Sequence, residues 1–178
     1  NRPDTLNALN IDLIQDLDEG VQRAADDSDV KVVILTGAGR GFCSGGDVRG
    51  AAVSGDPGAP RPQRTPPPRG RAAYQLLHDM GKPTIAMIQG FCIGGGLGLA
   101  ICCDLRICSE DSRFAVPAAK LGLGYAYAGL KRLTDVVGPA FAKEIFYTAR
   151  QFDAGEAQAM GLVNRVLPEV VTDPFFAQ

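Results

Sequence analysis

Two strand-like segments that each run into a cluster of glycines constrain the fold of this chain most. Residues 30–36 and 84–88 are almost wholly apolar and rich in β-branched side chains, which is typical of strands buried on both faces of a parallel sheet. The glycine clusters at 37–46 and 90–96 follow them directly. Helical patterns separate the strands, so the chain is predicted to have an α/β fold.

Periodicity and capping residues predict the remaining elements. A helix should begin after Asn10, a suitable N-cap, and end at the acidic run 26–29. The other predicted elements are a short helix stopping at Gly81, a helix at 97–103, strands at 105–108 and 113–116, a helix from Pro139 to about residue 149, a helix with an Asp153–Glu156 capping box ended by Gly161, and a strand at 162–167.

The domain organisation is predicted to be simple. A chain of 178 residues that is 46% hydrophobic suits one core, so we expect a single domain over residues 1–178. Residues 48–70 hold six of the twelve prolines and are expected to form a mobile loop. The chain starts without methionine and stops without a capped element, so N- and C-terminal parts of a longer protein are expected to be missing.

Composition excludes several functional classes. The net charge is −2 with scattered basic residues, which predicts no nucleic-acid partner. No stretch is long and apolar enough for a membrane span, and no signal peptide begins the chain; a cytoplasmic protein with no membrane partner is expected. The five cysteines lack C-x-x-C spacing and His78 is the sole histidine, so reduced, buried thiols and no metal site are predicted.

The two glycine clusters are the candidates for chemistry. If both lie at strand-to-helix turns side by side, their backbone N–H groups can point at one oxygen and form an oxyanion hole. The alternative is that the glycines only end the strands. A dinucleotide-binding G-x-G-x-x-G motif fails because Phe42 stands at the third glycine, and no G-K-[ST] of a P-loop occurs.

Several motifs, in order along nearly the whole chain, resemble the signatures of the crotonase (enoyl-CoA hydratase/isomerase) superfamily. They are Asn1-Arg2-Pro3 with Leu6-Asn7-Ala8-Leu9, Gly41-Phe42-Cys43-Ser44-Gly45-Gly46-Asp47, Gly90-Phe91 with Gly94-Gly95-Gly96, Cys103-Asp104-Leu105-Arg106, and Gly161-Leu162-Val163-Asn164.

The resemblance implies a spiral of ββα units, assembled as a homotrimer or hexamer, whose partner is an acyl-CoA thioester. Coenzyme A would be part of the substrate, with no tightly bound cofactor. It implies an oxyanion hole made by the N–H groups of Gly46 and Gly95. The residues that it places along coenzyme A are Asp4, Thr5, Leu6, Gly46, Asp47 and Val48.

The sequence departs from the family where proton transfer is expected. The resemblance places two hydratase glutamates at positions that here hold Gly98 and Ala118, and the carboxylate of dienoyl-CoA isomerases at Ala126. None of these side chains can transfer a proton. Tyr125 resembles a tyrosine of the methylmalonyl-CoA decarboxylase branch and is the candidate catalytic side chain. The alternative is a structural tyrosine whose hydroxyl binds a backbone group.

Two aspartates of the motifs, Asp47 and Asp104, are predicted to fix turns and helix ends through hydrogen bonds to backbone groups. The predicted function is that of a lyase or isomerase of fatty acid metabolism, which holds a thioester enolate in the hole without the two glutamates. A non-catalytic acyl-CoA-binding or assembly protein and a decarboxylase-like enzyme are the alternatives. The missing carboxylates favour none of them.

Overall fold

The computed structural model describes residues 1–47 and 73–168; the loop predicted at 48–70 lies outside these residues. A 3-10 turn at Pro3–Thr5 precedes the first helix. The helices are α1 Ile11–Asp26, α2 Ala73–His78, α3 Gly95–Ala100, α4 Ala118–Leu121, α5 Tyr127–Thr148 and α6 Ala154–Ala159. The strands are β1 Val33–Thr36, β2 Thr84–Ile88, β3 Phe91–Ile93, β4 Leu105–Ser109, β5 Arg113–Ala115, β6 Phe152–Asp153 and β7 Arg165–Leu167.

The strands form two sheets that the chain visits in turn. The first sheet is parallel, with the order β1-β2-β4-β7, and the second has the order β3-β5-β6. Strand β2 lies in the first sheet, β3 in the second, and α3 follows; β4, β5 and α4 repeat the pattern. The predicted α/β fold built from ββα units is confirmed.

Burial in the first sheet differs between its centre and its edge. Alternate residues of the central strand β2 are fully buried, as predicted. The prediction for residues 30–36 was wrong in part, because β1 begins only at Val33 and alternates between half-buried and exposed side chains. Ile34 is 40% exposed. The reason is the position of β1 at the end of the sheet order, where an apolar strand can leave one face open.

The capped helices match their predictions well. The Asn10 side chain accepts a hydrogen bond of 2.9 Å from the Leu13 N–H at the start of α1. Asp153 and Glu156 form the predicted capping box at α6, with reciprocal hydrogen bonds of 2.8 and 3.0 Å. Side chains that satisfy the free N–H groups of a first turn fix where a helix begins.

Other helix predictions needed correction. The helix expected from Pro139 is the second half of α5, and its first half was missed. Gly138, with φ of 77°, breaks the helical backbone between the halves, so Pro139 stands in a first turn, where its missing N–H costs nothing. Helix α3 begins at Gly95, two residues before the predicted start, and ends at Ala100.

Some of the short elements were not predicted, because they contain too few residues to show a period. They are β3, β6 and α4, of two to four residues each. The predicted strand at 162–167 is shorter, with β7 beginning at Arg165.

Two polar side chains join the sheet to the segments around it. The Asp104 carboxylate accepts hydrogen bonds from the N–H and hydroxyl of Thr84, at 2.8 and 2.9 Å. Asp104 thus makes the predicted hydrogen bond to a backbone N–H, but the bond joins the segment before β4 to the start of β2 and does not close a local turn. The buried Arg106 guanidinium donates to the carbonyls of Leu162 and Cys103, at 2.7 and 2.6 Å, and so ties β4 to the segment before β7.

All five cysteines are free and buried, as predicted. We expect a chromogenic disulfide reagent to modify the native thiols at least tenfold more slowly than those of the unfolded chain, because burial raises the pKa of Cys103 to about 12 and keeps the thiol protonated. A Ser28→Cys variant, whose added thiol is exposed, is the control and should react at once. Rapid reaction of the native wild-type protein would contradict the packing.

The same pKa shift predicts how stability depends on pH. The folded state holds the Cys103 proton up to a pKa of about 12, whereas an unfolded thiol loses it near about pH 8.5. The contribution of Cys103 to the free energy of unfolding should therefore be fully present below about pH 8.5 and be lost as the pH rises toward the folded pKa. Denaturant titrations at pH 7 and pH 10 measure this difference.

Candidate active site

The first glycine turn, residues 41–47, lies against the N-terminal segment of the chain. The Leu9 N–H donates to the Gly45 carbonyl at 2.8 Å, and the Asp47 N–H donates to the Leu9 carbonyl at 2.9 Å. These two bonds hold Gly46 opposite Leu9 in a parallel bridge. Gly46 itself is exposed, and no atom lies within 4 Å of the position that a Cβ would take there.

The second glycine turn connects β3 to α3 and runs beside the first. The Cys43 N–H donates to the Phe91 carbonyl, and the Ile93 N–H donates to the Cys43 carbonyl, both at 2.9 Å. The Gly94 N–H donates to the Ala115 carbonyl at 2.8 Å. The hydrogen bonds of Cys43 fix the relative position of the two turns.

The two turns touch backbone to backbone. A Cβ on Gly45 would lie 3.0 Å from the Ile93 carbonyl oxygen and 3.5 Å from the Gly95 nitrogen, at a φ of 97° that favours glycine. A Cβ on Gly96 would overlap the Cys43 carbonyl. A Cβ on Gly95 would lie 3.7 Å from the Gly46 nitrogen. The structure therefore brings the predicted pair Gly46 and Gly95 together.

Both members of this pair present an unused donor. Within residues 1–47 and 73–168, no acceptor is assigned to the N–H of Gly46 or of Gly95. Gly95 begins α3, where the first N–H groups have no partner inside the helix. Gly95 and Gly98 are half-buried, whereas Gly96, Leu97 and Leu99 on the same helix are buried. The open face of α3 thus carries only glycines.

Tyr125 reaches the same turn from the other side. Its hydroxyl oxygen lies 3.7 Å from the position of a Cβ at Gly94, and its ring packs edge-on against Phe146 with centroids 5.1 Å apart. The side chain is 36% exposed, and burial of the rest raises the pKa of its phenol. The described part of the chain gives its hydroxyl no hydrogen-bond partner, and so lacks the backbone contact of a structural tyrosine.

The positions without a carboxylate are also near this turn. Ala118 is 5% exposed and begins α4, directly after Pro117, whose Cδ lies 3.8 Å from the Cβ position of Gly94. Gly98 follows Gly95 by one turn of α3. Ala126 is the N-cap of α5 and is exposed. None of the three provides an acid or a base.

Sequence reasoning missed Tyr74 as a site residue, although it expected this residue on the helix before β2. Its hydroxyl donates to the Gly95 carbonyl at 3.1 Å, and its Cε1 lies 3.1 Å from the Cβ position of Gly98. Burial, with smaller contributions from the neighbouring Cys43, Cys102 and Tyr125, raises the pKa of its phenol. The only available signal was a tyrosine next to the apolar positions of a short helix, which does not distinguish this role from core packing.

The residues predicted along coenzyme A surround the first turn in part. The Ser44 N–H donates to the Leu6 carbonyl at 2.9 Å, and the Ser44 hydroxyl donates to the Thr5 carbonyl at 3.2 Å. Asp4 is exposed beside them, and Val48 lies outside the described residues. Asp47 forms an ion pair of 2.8 Å with Arg2, a contact to a side chain that was not predicted.

Asn7 fixes the shape of the N-terminal segment beside this turn. Its buried amide donates to the carbonyls of Ala38 and Gly41 at 2.9 and 2.8 Å, and its side-chain oxygen accepts from the Arg2 N–H at 2.8 Å. Three hydrogen bonds support its left-handed φ of 53°. Asn7 therefore positions the strand-like segment on which Gly46 rests.

The described residues were compared with the requirements of a metal site and of a membrane-spanning helix. Over 1–47 and 73–168 no three or more histidine, cysteine or carboxylate side chains come together as metal ligands. Across the same residues, every helix is too short or too polar to cross a bilayer.

Three comparisons with known proteins agree on the relationship. The sequence profile of the family Enoyl-CoA hydratase/isomerase matches residues 1–173. A crotonyl-CoA hydratase of Syntrophomonas wolfei is 37% identical over 96% of this chain, and a peroxisomal Delta(3,5)-Delta(2,4)-dienoyl-CoA isomerase of Arabidopsis thaliana is 38% identical over 93%. The structure of an enoyl-CoA hydratase/carnithine racemase from Magnetospirillum magneticum superimposes with a TM-score of 0.83 at 34% identity, covering 99% of this chain.

The chain spans 66% and 63% of the length of these two curated relatives, and 66% of the superimposed structure. The match nevertheless covers both glycine turns and nearly all of the present sequence. Profile, sequence identity and fold together show that the chain belongs to the crotonase superfamily, as a member of the enoyl-CoA hydratase/isomerase family.

Proposed function

We propose that this protein is an enzyme that acts on acyl-CoA thioesters and stabilises an enolate between the N–H groups of Gly46 and Gly95. The observation that carries the proposal is the pair of unused backbone donors on two turns that touch. The relatives of this chain include a hydratase named for crotonyl-CoA and an isomerase named for dienoyl-CoA, which are both unsaturated acyl-CoA thioesters. Coenzyme A would then lie along the first turn, near Asp4, Thr5, Leu6 and Asp47.

The chemistry explains why such donors matter. When a bond at the α-carbon of a thioester breaks and leaves its electron pair behind, that pair forms the C=C bond of an enolate, and the π pair of the carbonyl moves onto its oxygen. Fixed donors aimed at this oxygen stabilise the developing charge, and removing one such donor from comparable sites costs about 3 kcal/mol. The backbone contacts of Cys43 hold both turns before any ligand arrives, so no ordering is required during the reaction.

Proton transfer to the enolate must occur without the two glutamates. Tyr125 is the proposed side chain for this step, because its free hydroxyl lies beside Gly94 and its raised pKa keeps the phenol protonated at neutral pH. It can donate a hydrogen bond or a proton to the enolate, and its exposed part can recover the proton from water. A protonated phenol cannot accept an α-proton, and Gly98, Ala118 and Ala126 provide no base. A lyase step therefore fits this arrangement best: a C–C bond at the α-carbon breaks, a carboxylate leaves as CO2, the bonding pair forms the enolate, and Tyr125 gives its proton to the α-carbon.

The donor pair is tested by Gly95→Val. The added side chain should fill the space next to the Gly46 nitrogen and lower the bound enolate fraction of acetoacetyl-CoA by about tenfold or more, because a donor is misplaced. Acetoacetyl-CoA is suitable because its enolate absorbs in the near ultraviolet, so absorbance reports the fraction and titration calorimetry reports the affinity.

The matched control is Gly20→Val on α1, where a Cβ meets no atom within 4 Å. This variant should bind and ionise acetoacetyl-CoA as the wild type does. A folded Gly95→Val protein with wild-type enolate absorbance would refute the assignment of the hole.

Hydration provides a second test. Turnover of crotonyl-CoA should be about 10²- to 10⁴-fold slower than in a relative that has both glutamates, because Gly98 and Ala118 provide no acid or base. The comparison enzyme is a crotonyl-CoA hydratase, such as that of Syntrophomonas wolfei, once its sequence is seen to hold both glutamates. Equal rates at matched concentrations would mean that another residue replaces the carboxylates.

The role of Tyr125 is tested by Tyr125→Phe, which removes only the hydroxyl. A screen of saturated, unsaturated and malonyl-type thioesters identifies the substrate first. The variant should keep its melting temperature and coenzyme A affinity but lose turnover by about 10²-fold or more. Unchanged turnover per folded molecule would remove Tyr125 from the mechanism. Absence of any turnover in the wild type would favour the non-catalytic acyl-CoA-binding protein.

A further inference from the structure

Tyr74 contacts both glycines on the open face of α3. Its hydroxyl donates to the Gly95 carbonyl at 3.1 Å, and its oxygen lies 3.3 Å from the Cβ position of Gly95. One turn further along the helix, its ring carbon Cε1 lies 3.1 Å from the Cβ position of Gly98. A single side chain from α2 therefore covers the face that carries the Gly95 donor.

Three contacts of α2 fix the helix that carries Tyr74. The Ala73 N–H bonds to the Asp18 carboxylate on α1, and Gln75 accepts a hydrogen bond of 2.8 Å from Arg132 on α5. Leu77, which follows Tyr74 by three residues and lies on the same face of α2, is 2% exposed and anchors the helix in the core. Because α2 is fixed to α1 and α5, the Tyr74 side chain is already ordered in the folded protein. Its hydrogen bond to Gly95 therefore costs little additional side-chain entropy.

We propose that Tyr74 is a positioning and specificity residue of the acyl site: its hydroxyl holds the Gly95 turn, and its ring limits the room beside Gly98. The inference rests on the proposed function. The hydroxyl donates its proton to the Gly95 carbonyl, so it serves as a fixed contact for the backbone rather than as the proton source. The ring occupies the volume that a longer side chain at position 98 would need.

The hydroxyl and the ring are tested by separate variants. Tyr74→Phe keeps the ring and removes the bond to Gly95. It should lower the bound enolate fraction of acetoacetyl-CoA about fivefold, the effect of one net hydrogen bond, with coenzyme A affinity unchanged. Tyr147→Phe is the control, because Tyr147 is 75% exposed on α5, and it should leave the fraction at the wild-type value.

Tyr74→Ala tests the ring. Removing it should raise the affinity for hexanoyl-CoA relative to acetyl-CoA by about tenfold, because the cavity beside Gly98 would admit several more methylene groups. The Gly98→Ala substitution gives a ligand-free measurement of the same contact. It should lower the melting temperature in the wild type but not in the Tyr74→Ala background, if the ring and Gly98 share that space.

The outcomes separate this inference from the proposed function. If the wild type enriches the acetoacetyl-CoA enolate but Tyr74→Phe does so equally and Tyr74→Ala keeps the wild-type chain-length ratio, the role of Tyr74 is overturned and the hole stands. A lower melting temperature of these variants, with both ligand measurements unchanged, would likewise reduce Tyr74 to a packing residue. If the wild type binds acetoacetyl-CoA with no enolate enrichment, the proposed hole fails and the role of Tyr74 fails with it.

Discussion

The contact between the two glycine turns is the constraint on which the rest of the structure depends. The Cys43 backbone bonds to both Phe91 and Ile93, and the Cys43 carbonyl leaves no room for a Cβ on Gly96. A larger residue at Gly96 would push the turns apart, and one at Gly45 would be crowded by the Ile93 carbonyl at a φ of 97° that favours glycine. The two sheets also fix the second turn. The chain passes from β2 in the first sheet to β3 in the second, and the turn that follows β3 lies against the first turn.

The same contact determines the electrostatics of the site. Two peptide donors lie next to each other, while Gly98 and Ala118 bring no charge to the turn. The phenols of Tyr74 and Tyr125 have a raised pKa because burial disfavours the phenolate. These groups are neutral before the reaction, so a negative charge that develops on a bound oxygen would meet no competing anion from them.

The predictions that succeeded depended on local chemistry. Asn10 and the Asp153–Glu156 pair satisfy N–H groups within their own first turn, so sequence spacing alone placed α1 and α6 correctly. The start and the burial of β1 were predicted less well, because its composition does not show that it is the first strand in the order of the sheet. Gly138 also looks locally like a helix terminus, and the helix on its N-terminal side was missed.

The sequence by itself determined the α/β class and the family motifs with their two glycine turns. The pairing of Gly46 with Gly95 came only from the family resemblance, because a glycine turn after a strand can equally well do no more than end that strand. Only the tertiary structure decided which side chains surround that pair. Tyr74 and Gly95 are 21 residues apart on different helices, and Tyr125 reaches Gly94 from a third segment. Contacts of this kind depend on how α2 and the segment between α4 and α5 lie against the second glycine turn, and neither periodicity nor capping residues encode such packing locally.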